Sequence, residues 1–110
     1  MREDDMIDYS ELKQQIGHMV ILSVSGGRVE STPNRNILRF PVSNGYAVEV
    51  ELDPSDTYTV RRTFTRTEKG KLVRRVKGER TTVYADEISQ AFYFAGMFRS
   101  YDENEWVDKR

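Results

Sequence analysis

No cysteine occurs among the 110 residues. Disulfides, zinc–thiolate sites and thiol nucleophiles are thereby excluded, and the composition fits a reducing compartment. Histidine is almost as scarce. His18 is the only one, directly after Gly17 at an expected strand start, where a lone imidazole is ordinarily a packed or exposed spectator. Ser23, Ser25 and Ser31 lie near it in sequence, but none has a nucleophile-elbow context. The carboxylate pairs Asp4-Asp5, Asp53/Asp56 and Asp86-Glu87 each have a plain explanation: solvated leader, turn and helix N-terminus. With no second histidine and no spaced carboxylate cluster, neither a metal site nor a cofactor is expected, and the chain reads as a non-enzyme. No apolar run approaches the roughly 18 residues of a membrane span. The opening Met1-Arg2-Glu3-Asp4-Asp5 is acidic rather than basic and apolar, unlike a signal peptide. The expectation is a cytoplasmic protein with no membrane partner.

What is present suffices for one hydrophobic core. Apolar residues make up 37% and charged residues 32%, which suits a folded domain with a well-solvated surface. The net charge of −1 conceals segregation. Residues 1–60 carry five basic and ten acidic side chains, residues 61–80 nine basic and two acidic, and residues 81–110 three basic and six acidic. Opposed patches of this kind say more about partners than the total does.

Taken in order, residues 1–7 read as an acidic leader, 8–101 as a single domain and 102–110 as an acidic tail. A short N-terminal helix is expected from Asp8 or Ser10 to Ile16, with Leu12 and Ile16 as its apolar pair and Gly17 as its stop. Met19 to Val24 is short and β-branched and reads as a strand buried on both faces, with Ser25-Gly26-Gly27-Arg28 as a hairpin turn. Val29 to Pro33 reads as a weak strand and Ile37 to Val42 as a stronger one, Pro41 marking an edge or a bulge. Asn44-Gly45 is a strong hairpin signal. The alternation of Tyr46, Val48, Val50 and Leu52 with Ala47, Glu49 and Glu51 gives a half-buried strand. After Asp53-Pro54-Ser55-Asp56 the chain returns as two strands, Thr57 to Thr67 and Lys71 to Val83, joined by a three-residue loop at Glu68-Lys69-Gly70.

Polarity sets a register for these strands. Leu52 is placed opposite Tyr58, Val50 opposite Val60, Tyr46 opposite Phe64 and Glu49 opposite Arg61. In the second pair Phe64 is placed opposite Arg74, Thr63 opposite Arg75 and Arg62 opposite Val76, and Gly78 marks a bulge. Arg62 and Arg74 then both point at the apolar face, where an unpaired guanidinium would be costly. A long helix is expected over Ala85–Tyr101, with Ile88, Ala91, Phe92, Ala95 and Phe98 on one face, Asp86 and Glu87 in its first turn and Arg99 in its last. The fold class is α+β: an antiparallel meander of five or six strands, one long C-terminal helix packed on the sheet, and a short N-terminal helix.

The strongest functional cue is the basic hairpin. Arg61, Arg62, Arg66, Lys69, Lys71, Arg74, Arg75, Lys77 and Arg80 crowd two paired strands, interleaved with Thr63, Thr65, Thr67, Thr81 and Thr82. Arginine and threonine suit phosphate contacts, and a two-stranded ribbon fits a major groove. The same charges also suit a solvated face that discourages strand addition and pairs with Glu49 and Glu51. Trp106 in the acidic tail is either a lid on the helix or an anchor for a partner. Tyr93, Phe94 and Tyr101 either line the core or form a patch for homo-oligomerisation.

The stretch Val76-Lys77-Gly78-Glu79-Arg80-Thr81-Thr82-Val83-Tyr84-Ala85-Asp86-Glu87, with Phe98-Arg99-Ser100 downstream, resembles small uncharacterised proteins of actinobacterial phages. Ser25-Gly26-Gly27-Arg28 and Pro54-Ser55-Asp56-Thr57-Tyr58 are compatible with it, so the resemblance runs from about residue 10 onward. It implies a host-cytoplasmic location and a role in binding and redirecting a host component, and it transfers no catalytic or binding residues. Together these observations give the expectation of a non-catalytic binding protein whose basic hairpin engages an acidic protein surface. The alternative is a nucleic-acid-binding module that uses the same hairpin for phosphate contacts.

Overall fold

The computed structural model describes residues 7–97. Helix α1 (Tyr9–Ile16) begins as its sequence dictates, with the Asp8 carboxylate accepting from the backbone N–H groups of Ser10 and Glu11. Leu12 and Ile16 are buried. At Gly17, φ is +100°, a conformation that side-chain-bearing residues rarely adopt, and the chain turns a corner there into a second helix, α2 (His18–Ser25).

This helix replaces the strand expected over Met19–Val24. Ile21, Val24 and Ser25 are its buried positions, spaced three and four apart, while Met19, Leu22 and Ser23 face outward. A strand apolar on both faces needs cover on both faces, and this sheet is packed by helices on only one. Helix geometry buries Ile21 and Val24 without that requirement. Gly26, expected in a hairpin turn, is instead the left-handed C-cap of α2, its N–H donating to Leu22 O.

The remaining chain forms strands β1 (Glu30–Ser31), β2 (Ile37–Pro41), β3 (Tyr46–Leu52), β4 (Tyr58–Glu68) and β5 (Lys71–Val83), then helix α3 (Ile88–Gly96). The fold is α+β, with five antiparallel strands in the order β1-β2-β3-β4-β5 and three helices. Two expected elements shrink. The weak strand over Val29–Pro33 is only the two residues of β1. The long helix over Ala85–Tyr101 begins at Ile88, after a turn in which the Glu87 carboxylate accepts from Tyr84 N–H, and α3 ends at Gly96. The expected Phe98, Arg99 and Tyr101 positions, the tail with Trp106 and residues 1–6 lie outside the described residues. Ile7 is not loose leader: its N–H donates to Arg35 O at 3.2 Å and its side chain packs on the core.

Turn chemistry holds the register between β3 and its neighbours. Asn44 and Gly45 take φ of +55° and +88°, and a Cβ on Gly45 would stand 2.5 Å from Thr65 O. The β3–β4 register is the expected one throughout: Leu52 faces Tyr58, Val50 faces Val60, Glu49 faces Arg61 and Tyr46 faces Phe64. Phe40, Val48, Val50, Tyr58 and Val60 therefore share one face and meet Ile88, Ala91, Phe92 and Ala95 of α3 and Leu12 and Ile16 of α1. Phe40 and Phe92 are edge-to-face, with ring centroids 4.8 Å apart. Near the end of α3, Gly96 lies so close to Val24 that an added Cβ would be 2.5 Å from its Cγ1, and that contact fixes α2 against α3.

Candidate functional site

The β4–β5 hairpin is longer than the sheet that carries it. β3 stops pairing β4 at Tyr46↔Phe64, and one further bond runs from Thr65 N–H to Gly45 O. Beyond it the two strands have only each other. The hairpin closes through a two-residue turn, Lys69 at φ +51° and Gly70 at φ +80°, rather than the three-residue loop expected. That single residue changes the register. Glu68 faces Lys71, Thr65 faces Arg74, Phe64 faces Arg75 and Thr63 faces Val76. The ladder then shifts by one between Arg62 and Thr63, so Arg62 faces Gly78 and the irregularity falls beside the expected bulge glycine.

A one-residue slip exchanges the faces of a strand. Arg74, expected on the apolar face, lies on the open face. There its Nε and Nη2 donate to the two carboxylate oxygens of Glu49 at 2.8 and 2.6 Å. Glu49 is only 6% exposed, and Arg74 supplies its countercharge. These hydrogen bonds hold the Arg74 guanidinium above its ordinary pKa, outweighing the partial burial that pulls it down.

Arg62 does point into the apolar face, and the core has a use for it. The residue is 1% exposed; Nε donates to Ala95 O at 2.8 Å and Nη2 to Phe94 O at 2.9 Å. Both are last-turn carbonyls of α3, at the end where the helix dipole favours a cation, and Phe94 O also accepts from Met97 N–H at 3.2 Å. Arg62 therefore ties the sheet to α3 and is not presented to a partner.

The open face carries a row of alternating charge, one residue from each strand. In register these are Glu30, Arg39, Glu49, Arg61 and Glu79. Arg39 meets Glu30 at 2.6 Å, and Arg61 meets Glu79 at 2.6 Å and Glu51 at 2.8 Å. Burial lowers the Arg61 pKa, but the hydrogen bonds to Glu79 and Glu51 more than offset it and leave the group above its ordinary value. Arg39, Glu49 and Arg61 from the middle of the row, with Glu51, line a groove of about 700 Å³ that Thr32, Asn34 and Arg74 also border. Each arginine in it has a carboxylate beside it in the register or the ion pairs.

At the tip the accounting differs. Arg75 meets Glu68 at 2.7 Å and Arg66 reaches the same carboxylate at 3.5 Å. The hydrogen bond from Arg75, then that from Arg66, hold Glu68 below the usual carboxylate range, and the bond to Glu68 raises Arg75. Lys69 and Lys71 are exposed and, among the described residues, make no ion pair. Arg80 is half-buried and likewise makes none, whereas Lys77 at the bulge is not free. Leu72 is 77% exposed and Val76 46%. The nine cations grouped by sequence are thus divided: Arg61 and Arg74 belong to the open-face network, Arg62 to the core, Arg66, Lys69, Lys71 and Arg75 to the projecting tip, and Lys77 and Arg80 to the stretch of β5 at and after the bulge.

The other candidates disperse. His18 is the exposed first residue of α2 rather than a strand start. Ser23 and Ser25 donate to helix carbonyls, and Asp53 accepts from Thr59 at the start of β4. Among the described residues no group of three or more metal-ligating side chains is brought together. Tyr93 is exposed on α3 and Phe94 packs against the core. No helix among the described residues is long and apolar enough to cross a membrane. The carboxylates that hold the arginines were the least legible part of the site. The signals for them were the Glu49–Arg61 register and the neighbouring Glu51; Arg61 is bonded by Glu51 and Glu79, and Glu49 by Arg74, which follows only when the β4–β5 register is right. No protein-family model, no curated protein and no solved structure matches this chain.

Proposed function

We propose that this is a non-catalytic binding protein that engages a macromolecular partner through the tip of its basic β4–β5 hairpin, an acidic protein surface being the preferred partner. The observation that carries the reading is the projection of the hairpin tip past β3, where the four basic residues Arg66, Lys69, Lys71 and Arg75 stand against one acidic residue, Glu68, a net of +3. Lys69 and Lys71 stand at its end, exposed and without an ion pair among the described residues, although Glu68 lies opposite Lys71 in the register. A charged prominence of this kind steers association and selects partners of opposite sign. The phosphate reading is the weaker of the two here. The guanidinium groups of Arg61, Arg74 and Arg75 are engaged by Glu51, Glu79, Glu49 and Glu68, so the bidentate donors that phosphate contacts favour are already taken and the exposed ammonium groups of Lys69 and Lys71 remain. The resemblance to small phage proteins supplies the setting of the proposal, with a host-cell component as partner.

The test is a titration of the protein with poly-glutamate and, separately, with mixed single- and double-stranded nucleic acid across a salt series. Wild type is compared with a Lys69→Asn/Lys71→Glu variant, in which asparagine tolerates the positive φ at 69. Poly-glutamate binding that weakens with salt and is lost in the variant supports the proposal. Salt-steep nucleic-acid binding lost in the variant transfers the function to phosphate contact. Absence of binding to both overturns the hairpin as the site.

A further inference from the structure

Strand β5 is an edge of the sheet. The bond from Thr65 N–H to Gly45 O shows which way the backbone of β4 is turned. Odd-numbered residues of β4 in this stretch present their N–H and C=O to β3, so Phe64, Arg66 and Glu68 present theirs to β5. Their partners Arg75, Val73 and Lys71 bond inward. It follows that the backbone groups of Leu72, Arg74 and Val76 point away from the sheet. Among the described residues nothing pairs with them.

Side chains along this edge divide by face. Leu72 and Val76, both exposed, flank Arg74 on the open face, and Arg74 is already engaged by Glu49. Lys71, Val73 and Arg75 alternate with them on the other face. An added strand would thus find apolar neighbours on one side and cations on the other. A second copy of the chain is a poor occupant. Antiparallel pairing of two β5 strands centred on Arg74 sets Lys71 against Lys77 and Arg74 against itself, and like charges directly opposite are destabilising. The same cations attract a strand of opposite sign.

We infer that the β5 edge over Leu72–Val76 takes up an extended segment of a partner protein in which acidic and apolar residues alternate. The partner strand bonds to the outward groups of Leu72, Arg74 and Val76. It lays its apolar side chains beside Leu72 and Val76 and its carboxylates beside Lys71 and Arg75. This rests on the basic-tip reading of function and specifies how the acidic partner is held. The basic edge excludes strand addition by like copies while admitting an acidic strand.

The experiment uses the full chain and three probes: a soluble peptide containing (Glu-Val)₃, the same peptide N-methylated at alternate residues along one edge, and poly-glutamate. Affinity is measured for each, and amide exchange of Leu72, Arg74 and Val76 is followed by NMR. Expected is protection of those three amides by the first peptide and a loss of at least about tenfold in affinity on N-methylation, the value of one hydrogen bond or more. Equal binding of the N-methylated peptide without amide protection overturns strand addition and leaves the basic-tip reading standing, as does binding of poly-glutamate alone. Failure of all three probes overturns both. Protection of the same amides that rises with protein concentration in the absence of peptide overturns the choice of occupant.

Discussion

Replacing Arg62 with methionine is expected to lower stability by about 2–4 kcal/mol. The side chain is 1% exposed and donates to Ala95 O and Phe94 O at 2.8 and 2.9 Å. Methionine fills a similar length of the core but takes the donor from the buried Ala95 O, at roughly 1–3 kcal/mol, and one of two donors from Phe94 O, which keeps Met97 N–H, for about 0.5–1.5 kcal/mol more. A favourable cation–dipole contact of about 0.3–2 kcal/mol at the end of α3 is lost as well. Against this, the cost of keeping a guanidinium out of water disappears, which brings the sum down to the stated range. With a urea m-value of about 2 kcal/mol/M, the midpoint should fall by roughly 1–2 M with the slope unchanged. Arg62→Lys should lie between the two proteins, because a single ammonium cannot repeat the two-pronged geometry. The assay is urea unfolding followed by circular dichroism. An R62M midpoint at or above wild type would refute the reasoning, since it would mean that burying the charge costs as much as the helix tie provides.

Other perturbations test separate contacts. Gly96→Ala drives a methyl against Val24 and is expected to cost about 1–3 kcal/mol; Val24→Ala in the same chain should recover part of it, read as a coupling energy in a double-mutant cycle. Arg74→Met leaves the Glu49 carboxylate buried without its bidentate partner and should destabilise by about 1–3 kcal/mol, whereas Arg74→Met with Glu49→Gln should cost less than the single change; equal losses would argue against the pair. Glu68, whose carboxyl is held below its ordinary pKa by Arg75 and Arg66, binds protons less readily folded than unfolded. Its contribution is present above the usual carboxylate range and fades as pH falls through its folded-state value, so the thermal-midpoint difference between wild type and Glu68→Gln should shrink toward acid pH. A difference independent of pH would show that the ion pair adds nothing.

The hairpins around β3 were legible because their signals are local. Asn44-Gly45 fixes a two-residue turn, and the alternation from Tyr46 to Leu52 then places every β3–β4 partner. Helix α1 was legible for the same reason, from Asp8 at its start to Gly17 at its end. Lys69-Gly70 was the harder turn. Lysine carries little turn preference, and counting Glu68 into the loop moved Arg74 to the wrong face. Met19–Val24 failed differently, since its spacing permits both a buried strand and a helix with Ile21 and Val24 inward.

By itself the amino-acid sequence determined the α+β class, the meander, the Asn44-Gly45 turn and the concentration of cations between Arg61 and Arg80, because each depends on neighbours a few residues apart. Tertiary structure decided what those cations do. Whether an arginine is held by Glu49, ties down the end of α3 or stands free at a tip depends on which face it occupies and which distant group lies opposite. A shift of one residue in pairing changes that answer without changing the composition at all.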